Sequence, residues 1–317
     1  MSRAVFLIER AGPMTTIQDR GRFGGQRYGI NEAGPMDRAA YRTALAALGE
    51  TPGPAVIETA LGGMALRCIE GEVTVALAGG GFRLIIDGET KGSWCVATVR
   101  TGARLEIRPG PWGSWTCLAV AGDIAATPWM GSVATHAPTG FGAGILKTND
   151  QIIIENARVS PEREGALPFP VTGRPRDHVR VVLGPQTQFF TPDAIAQFLH
   201  TEFTLSAEYD RMGVKLTGVK IPIESALDMP SQALPRGAVQ IPGHGDPLIL
   251  LADHQTTGGY PKIAVTIGAD QDGFCQLRPR QTVRFSAISP EDAVIAARSR
   301  AKAENAYLER LRRRTTS

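Results

Sequence analysis

The sequence predicts a mainly β protein of more than one domain. Its 317 residues exceed the usual size of a single hydrophobic core. Its 36 glycines and 22 prolines are many for a helical chain and suit short strands joined by tight turns. Short apolar or alternating runs, punctuated by glycine, recur from Ala55 to about Asp150 and again after Val179.

Taken in order, Ala4 to Ile8 reads as an opening strand, followed by a loop from Gly12 to Gly25 that carries Asp19-Arg20-Gly21-Arg22. Asp37 is a good N-cap for an Ala- and Leu-rich helix over Arg38–Leu48, which Gly49 ends. Strands are expected at 65–69, 73–78 and 82–86, and the pair Asp87-Gly88 then predicts a hairpin. Further strands follow at 94–99, 105–107 and 115–120, and 131–135 together with 140–144 form a glycine-rich, hydroxyl-bearing region. From Ser160 to Pro175 the prolines and glycines cannot lie inside a sheet. That run suggests an N-terminal β-rich domain over 1–165 and a C-terminal β domain over 166–289. The second half opens with the strand 179–183, then Gly184-Pro185-Gln186, then a short helix with Thr191 as N-cap and Pro192 at its first position. Ser289 caps a final basic helix over 290–317, with Val294, Ala297, Ala301, Leu308 and Leu311 at helical spacing.

The formal charge of +3 is uneven. Between Arg298 and Arg314 seven basic residues face Glu304 and Glu309, so the remainder is slightly acidic and offers no broad footprint for nucleic acid. Cys68, Cys95, Cys117 and Cys275 stand singly, which fits structural thiols in a reducing cytoplasm. No apolar run approaches a membrane span. His, Cys and carboxylates lack metal-site spacing, so no metal is expected. Gly79 to Gly81 is not followed by a helix pattern and does not read as a phosphate-binding loop.

The densest chemistry lies in 251–262. An acid, an imidazole, an amide, two hydroxyls, a phenol and an ammonium surround Gly258-Gly259 directly after the apolar run 247–251. A buried strand that ends in polar groups is a rigid mount for a site, although Asp, Thr and Gly are also ordinary turn residues. A second Asp-Arg beside a glycine, Asp210-Arg211-Met212-Gly213, echoes Asp19-Arg20-Gly21.

Several motifs occur in a fixed order. They are Thr15 to Arg22, Gly34-Pro35-Met36-Asp37, Glu58-Thr59, Gly131-Ser132, Gly184-Pro185-Gln186, Asp210 to Gly213, Ile241-Pro242 with Gly245 and Pro247, and Asp253 to Pro261. In this combination the chain resembles the family called allophanate hydrolase subunit 2, Kip-type A protein or the C subunit of 5-oxoprolinase. It is also similar to the second half of the urea carboxylase carboxyltransferase domain. Asp123, Ala143, Lys215, Gln271 and Arg280 depart from the usual pattern.

The resemblance implies two cyclophilin-like β-barrel domains with a few short helices. It implies ATP-dependent opening of the lactam 5-oxo-L-proline to L-glutamate, and its implied partners are an A subunit plus a Kip-type B subunit. ATP would be held by the complex, and biotin would not be attached to this chain, which lacks Met-Lys-Met. Two alternatives are the carboxyltransferase part of a biotin-dependent urea or amide carboxylase, and a non-catalytic regulator that binds a kinase-inhibitor-type B subunit.

Lactam opening and carboxyl transfer both develop negative charge on oxygen, which preorganised donors must meet. Arg20 and Arg211 are therefore expected as anion clamps oriented by Asp19 and Asp210. His254 is the candidate general acid or base. Gln18, Gln240, Asp253, Thr256, Thr257, Gly258, Gly259, Tyr260 and Lys262 are expected to bind substrate.

Overall fold

In the computed structural model residues 2–224 and 229–314 are described. The chain is mainly β, with four α-helices among the described residues. It divides into two compact units. One comprises Met1–Arg22, Ala33–Arg174 and Ala303–Ser317, and the other Phe23–Glu32 and Pro175–Lys302.

The first unit contains a seven-stranded and a six-stranded sheet. In the seven-stranded sheet Arg3–Ala11 lies between Gln151–Glu155 and Met64–Glu70. In the six-stranded sheet Trp115–Val120 lies between Glu72–Ala78 and Val56–Ala60. Phe6, Ile8 and Leu66 from one sheet and Val73, Val75 and Leu118 from the other join a single apolar core. Burying such aliphatic and aromatic side chains stabilises by roughly 1.5–3 kcal/mol each.

Local signals set the connections. The helix α1, Arg38–Ala47, starts where the Asp37 carboxylate accepts the Ala40 N–H at 2.8 Å. Its Ala-rich face enters the core through Ala40, Ala44 and Leu45. Asp87 (φ 49°) and Gly88 (φ 84°) form the left-handed pair that a two-residue hairpin needs between Arg83–Ile86 and Glu89–Gly92.

The second unit is built on a closed seven-stranded barrel. Its strands run His178–Leu183, Lys262–Thr266, Ala238–Gln240, Leu248–Leu250, Gly213–Thr217, Phe203–Tyr209 and Thr282–Ala287 in spatial order. Thr282–Ala287 closes the barrel parallel to His178–Leu183. Closure leaves the barrel no open edge. The helix α2, Pro192–His200, starts where Thr191 Oγ1 accepts the Ala194 N–H at 3.0 Å. It places Phe198 against Phe203 and Phe285, with ring centroids 4.8–6.0 Å apart.

A further helix, α3 at Gly268–Cys275, is absent from the sequence expectation. It has no side-chain N-cap and contains two glycines. Tertiary contacts hold it instead: the buried Asp270 carboxylate receives both Nε and Nη2 of Arg180, at 2.9 and 2.7 Å. The final helix, α4, spans Pro290–Arg312, and Ser289 Oγ accepts the Asp292 N–H at its start. Leu308 and Leu311 enter the core of the first unit, whereas Val294 and Ile295 are exposed. Residues 315–317 of the expected C-terminal helix lie outside the described residues. No helix among the described residues is long and apolar enough to cross a membrane.

Candidate functional site

The strand Leu248–Leu250 delivers the polar stretch, and its first charged residue is committed to structure. Asp253 is fully buried and its two carboxylate oxygens receive Nε and Nη2 of Arg211, both at 2.9 Å. The Asp253 N–H also donates to the Arg211 carbonyl at 2.7 Å. This two-way pairing corrects the expectation that Asp210 orients Arg211. Asp210 is exposed, and its carboxylate accepts the N–H groups of Met212 and Gly213 at 2.7 and 3.1 Å. Two residues away, those backbone donors capture a short Asp side chain before a long Arg can. Arg211 is correspondingly no open anion clamp, because its fork is engaged by Asp253.

His254 is buried, and its Nδ1 lies 2.6 Å from the Gln255 carbonyl. A carbonyl only accepts, so Nδ1 carries the proton and Nε2 the lone pair in the neutral ring. The His254 carbonyl is in turn held by the Asn31 amide.

Beyond the turn, Thr257–Gly258 pairs with Gln232–Ala233 in a two-stranded flap. Leu234 N–H extends it by donating to the Thr256 carbonyl at 3.0 Å. Gly258 sits close to its neighbours: a Cβ at that position would lie 2.8 Å from Leu234 Cδ1 and 3.1 Å from Gln240 Nε2, so those two side-chain ends would have to shift. Thr257 and Tyr260 are exposed, and the Tyr260 carbonyl accepts Gln240 Nε2 at 3.3 Å.

Lys262 opens the next barrel strand, opposite Gln240. It is 2% exposed, and among the described residues its Nζ has no hydrogen-bond partner. Loss of solvation holds its ammonium below the ordinary lysine range. A buried lysine is normally paired, because an uncompensated charge away from water is costly. A buried lysine without such a partner, across the ladder from a buried amide, is a candidate ligand-facing group. The amides are Gln240, fully buried, with Gln255 Nε2 3.4 Å from Gln240 Oε1, and Gln186. Gln186 Oε1 accepts the Lys262 N–H at 2.7 Å.

The residues expected near Asp19 belong to the first unit. Asp19 accepts the Gly21 N–H, the Ser132 hydroxyl and the Val133 N–H at 2.8, 2.6 and 2.9 Å. It therefore organises the loop around Ser132 and pairs with neither Arg20 nor Arg22, correcting its expected role in orienting Arg20. Three donors arrive from backbone and hydroxyl groups that cannot leave, whereas Arg20 is exposed to water. Arg22 donates to the Ala134 carbonyl and lies 4.9 Å over the Trp129 ring. Gln18 Nε2 donates to Thr16 Oγ1 and the Thr135 carbonyl at 2.9 and 3.0 Å, while its buried Oε1 has no partner among the described residues.

Of the residues expected from the sequence, Lys262, Gln240, Asp253 and His254 all lie in the second unit, Lys262 directly across the ladder from Gln240. Gln186, Gln232 and Asn31 join them there without having been expected. Gln186 was visible in Gly184-Pro185-Gln186 after a strand, but its contacts depend on the register of two other strands.

Residues 28–287 match the family described as carboxyltransferase domain, subdomain A and B. The chain is 33% identical over 302 residues to the C subunit of 5-oxoprolinase from Haemophilus influenzae, covering 94% of each chain. It is 32% identical to the protein of that name from Escherichia coli, over 91% of this chain and 93% of the other. Urea amidolyase of Saccharomyces cerevisiae is 26% identical over 90% of this chain, which spans 17% of that protein. In fold, the Kluyveromyces lactis urea carboxylase structure aligns with a TM-score of 0.85 at 24% identity, over 97% of this chain and 29% of that one.

Proposed function

The chain belongs to the family of carboxyltransferase domains, subdomain A and B, and from that premise we propose that it is the C subunit of an ATP-dependent 5-oxoprolinase-type complex. In this reading it opens 5-oxo-L-proline to L-glutamate together with the A and B subunits. The observation that carries the reading is the identity of about a third to two proteins that bear the 5-oxoprolinase name, across more than nine-tenths of both chains.

The chemistry of the second unit suits such a substrate. A lactam amino acid offers a carboxylate, a ring carbonyl and a ring N–H. The Lys262 ammonium binds an anionic oxygen, and the amides of Gln240 and Gln255 address the ring amide. In a dry pocket such donors act on developing negative charge far more strongly than in water. Water adds its oxygen to the ring carbonyl carbon, the C–N bond breaks, and the nitrogen takes a proton. His254 Nε2, its tautomer fixed by the Gln255 carbonyl, is the group assigned to move that proton. In this reading ATP is held by the complex. Biotin has no attachment residue in this proposal.

The test is glutamate release from 5-oxoproline and ATP by the complex reconstituted with all three subunits. Lys262→Ala is expected to lower kcat/KM at least a hundredfold. An assembled complex that binds ATP and releases no glutamate would overturn the proposal. The urea carboxylase likeness favours a second reading, carboxyl transfer with a biotinylated partner, using the same lysine. A biotin-bearing protein that copurifies with the chain and is detected by streptavidin distinguishes it.

A further inference from the structure

Lys262 presents a difficulty for any ligand: its ammonium has no partner among the described residues, but the residue is only 2% exposed. Something beside it must move. The strand that carries it is locked into the barrel on both sides, by His178–Leu183 and Ala238–Gln240. A short element near this strand is the flap of Gln232–Ala233 and Thr257–Gly258, two residues a side. Its Gly258 lies against Gln240, the residue opposite Lys262 in the ladder.

One side chain ties this flap to the backbone of Lys262. Gln186 Oε1 accepts the Lys262 N–H at 2.7 Å, and Gln186 Nε2 donates to Gln232 Oε1 at 2.6 Å. The orientation of the amide is dictated by chemistry, because an N–H at Lys262 requires the oxygen and leaves the nitrogen for Gln232. Gln186 is 3% exposed, so both ends of its amide are spent on these two partners. At the flap end Gln232 is exposed. The link is therefore fixed at the barrel and open to solvent at the flap.

We propose that Gln186 is a positioning residue and that its hydrogen bond to Gln232 is the latch of a flap that gates ligand access to Lys262. Opening exchanges the Gln186–Gln232 bond and the short Gln232–Ala233 pairing for water, while the Gln186–Lys262 bond keeps the strand in place. A bound ligand that pairs the ammonium favours reclosure. The inference rests on Lys262 being the ligand-facing group, but its test needs no turnover.

The test uses the full chain and compares wild type with Gln232→Ala and Gln232→Glu. Lys262 is labelled with acetic anhydride and the acetylated peptide quantified by mass spectrometry. Amide hydrogen exchange is followed in 231–234 and 256–259. Because the Gln232 side chain is exposed, truncating it leaves the core intact. Loss of a hydrogen bond of ordinary net strength shifts an opening equilibrium about fivefold. Gln232→Ala is thus expected to label Lys262 about five times faster, with matching faster exchange in both flap strands. Gln232→Glu, which retains an acceptor for Gln186, is expected to restore the wild-type labelling rate. Labelling by Gln232→Ala within about twofold of wild type would overturn the latch. So would faster labelling without faster flap exchange, or faster flap exchange without faster labelling. Absence of glutamate release in the reconstituted complex would overturn the function proposed above and leave these rates unaffected.

Discussion

The Arg211–Asp253 pair permits a sharp test, because sequence and structure assign Arg211 different work. Both side chains are almost fully buried, 1% and 0% exposed, and they meet through two hydrogen bonds at 2.9 Å. Removing one partner of such a pair strands the other charge away from water, at a cost of about 3–5 kcal/mol. For a unit of this size that corresponds to a melting-temperature loss of roughly 6–20 °C. Asp253→Ala is expected to show it in scanning calorimetry. The double variant Arg211→Met/Asp253→Leu removes both charges and fills the space, so it is expected to recover most of the loss. An Asp253→Ala variant that loses less than about 1 kcal/mol, the value of an exposed ion pair, would refute the structural assignment. The same double variant separates structure from substrate binding. If it is stable and releases glutamate with unchanged KM, Arg211 holds the fold; if it is stable but KM rises tenfold or more, the clamp role is restored.

Three further outcomes follow from the same contacts. Lys262→Met is expected to stabilise the second unit by on the order of 1–3 kcal/mol at pH 7 while abolishing ligand binding. Between its depressed pKa and the ordinary lysine value the unfolded chain binds the extra proton, so wild-type stability rises with pH across that window and the variant loses that slope. For Asp270, burial pushes the carboxyl up but is outweighed by its hydrogen bonds from Arg180 and the charges of Arg176 and Arg180, leaving the net pKa below the usual range. Its contribution is complete above the ordinary carboxylate value and lost as pH falls through the depressed one, and urea titrations from pH 7 to pH 2 should show Asp270→Asn with a flatter acid limb. Burial raises the Cys95 thiol to about 12, so iodoacetamide at pH 8 is expected to leave it unmodified until the chain unfolds, as peptide mapping would show.

What was legible in the sequence was local. Asp37, Thr191 with Pro192, Asp87-Gly88 and Ser289 each act within a few residues, and each does what its chemistry predicts. The helix α3 was not legible because its own residues do little to favour it; Asp270 is held by Arg180 of the neighbouring barrel strand, 90 residues away in sequence. The site followed the same division. Adjacency suggested that Asp210 serves Arg211, whereas the partner is Asp253, 42 residues on, brought there by the pairing of Gly213–Thr217 with Leu248–Leu250. The Gly258-Gly259 pair drew attention as a place where backbone approaches a ligand, yet Gly258 is set by Leu234 and Gln240 within the protein. That close approach lets the flap lie beside Gln240 and, through it, beside Lys262. The glycine expected to meet a ligand thus meets the protein's own side chains, an approach that depends on the pairing of Thr257–Gly258 with Gln232–Ala233 and so on residues about 25 positions away.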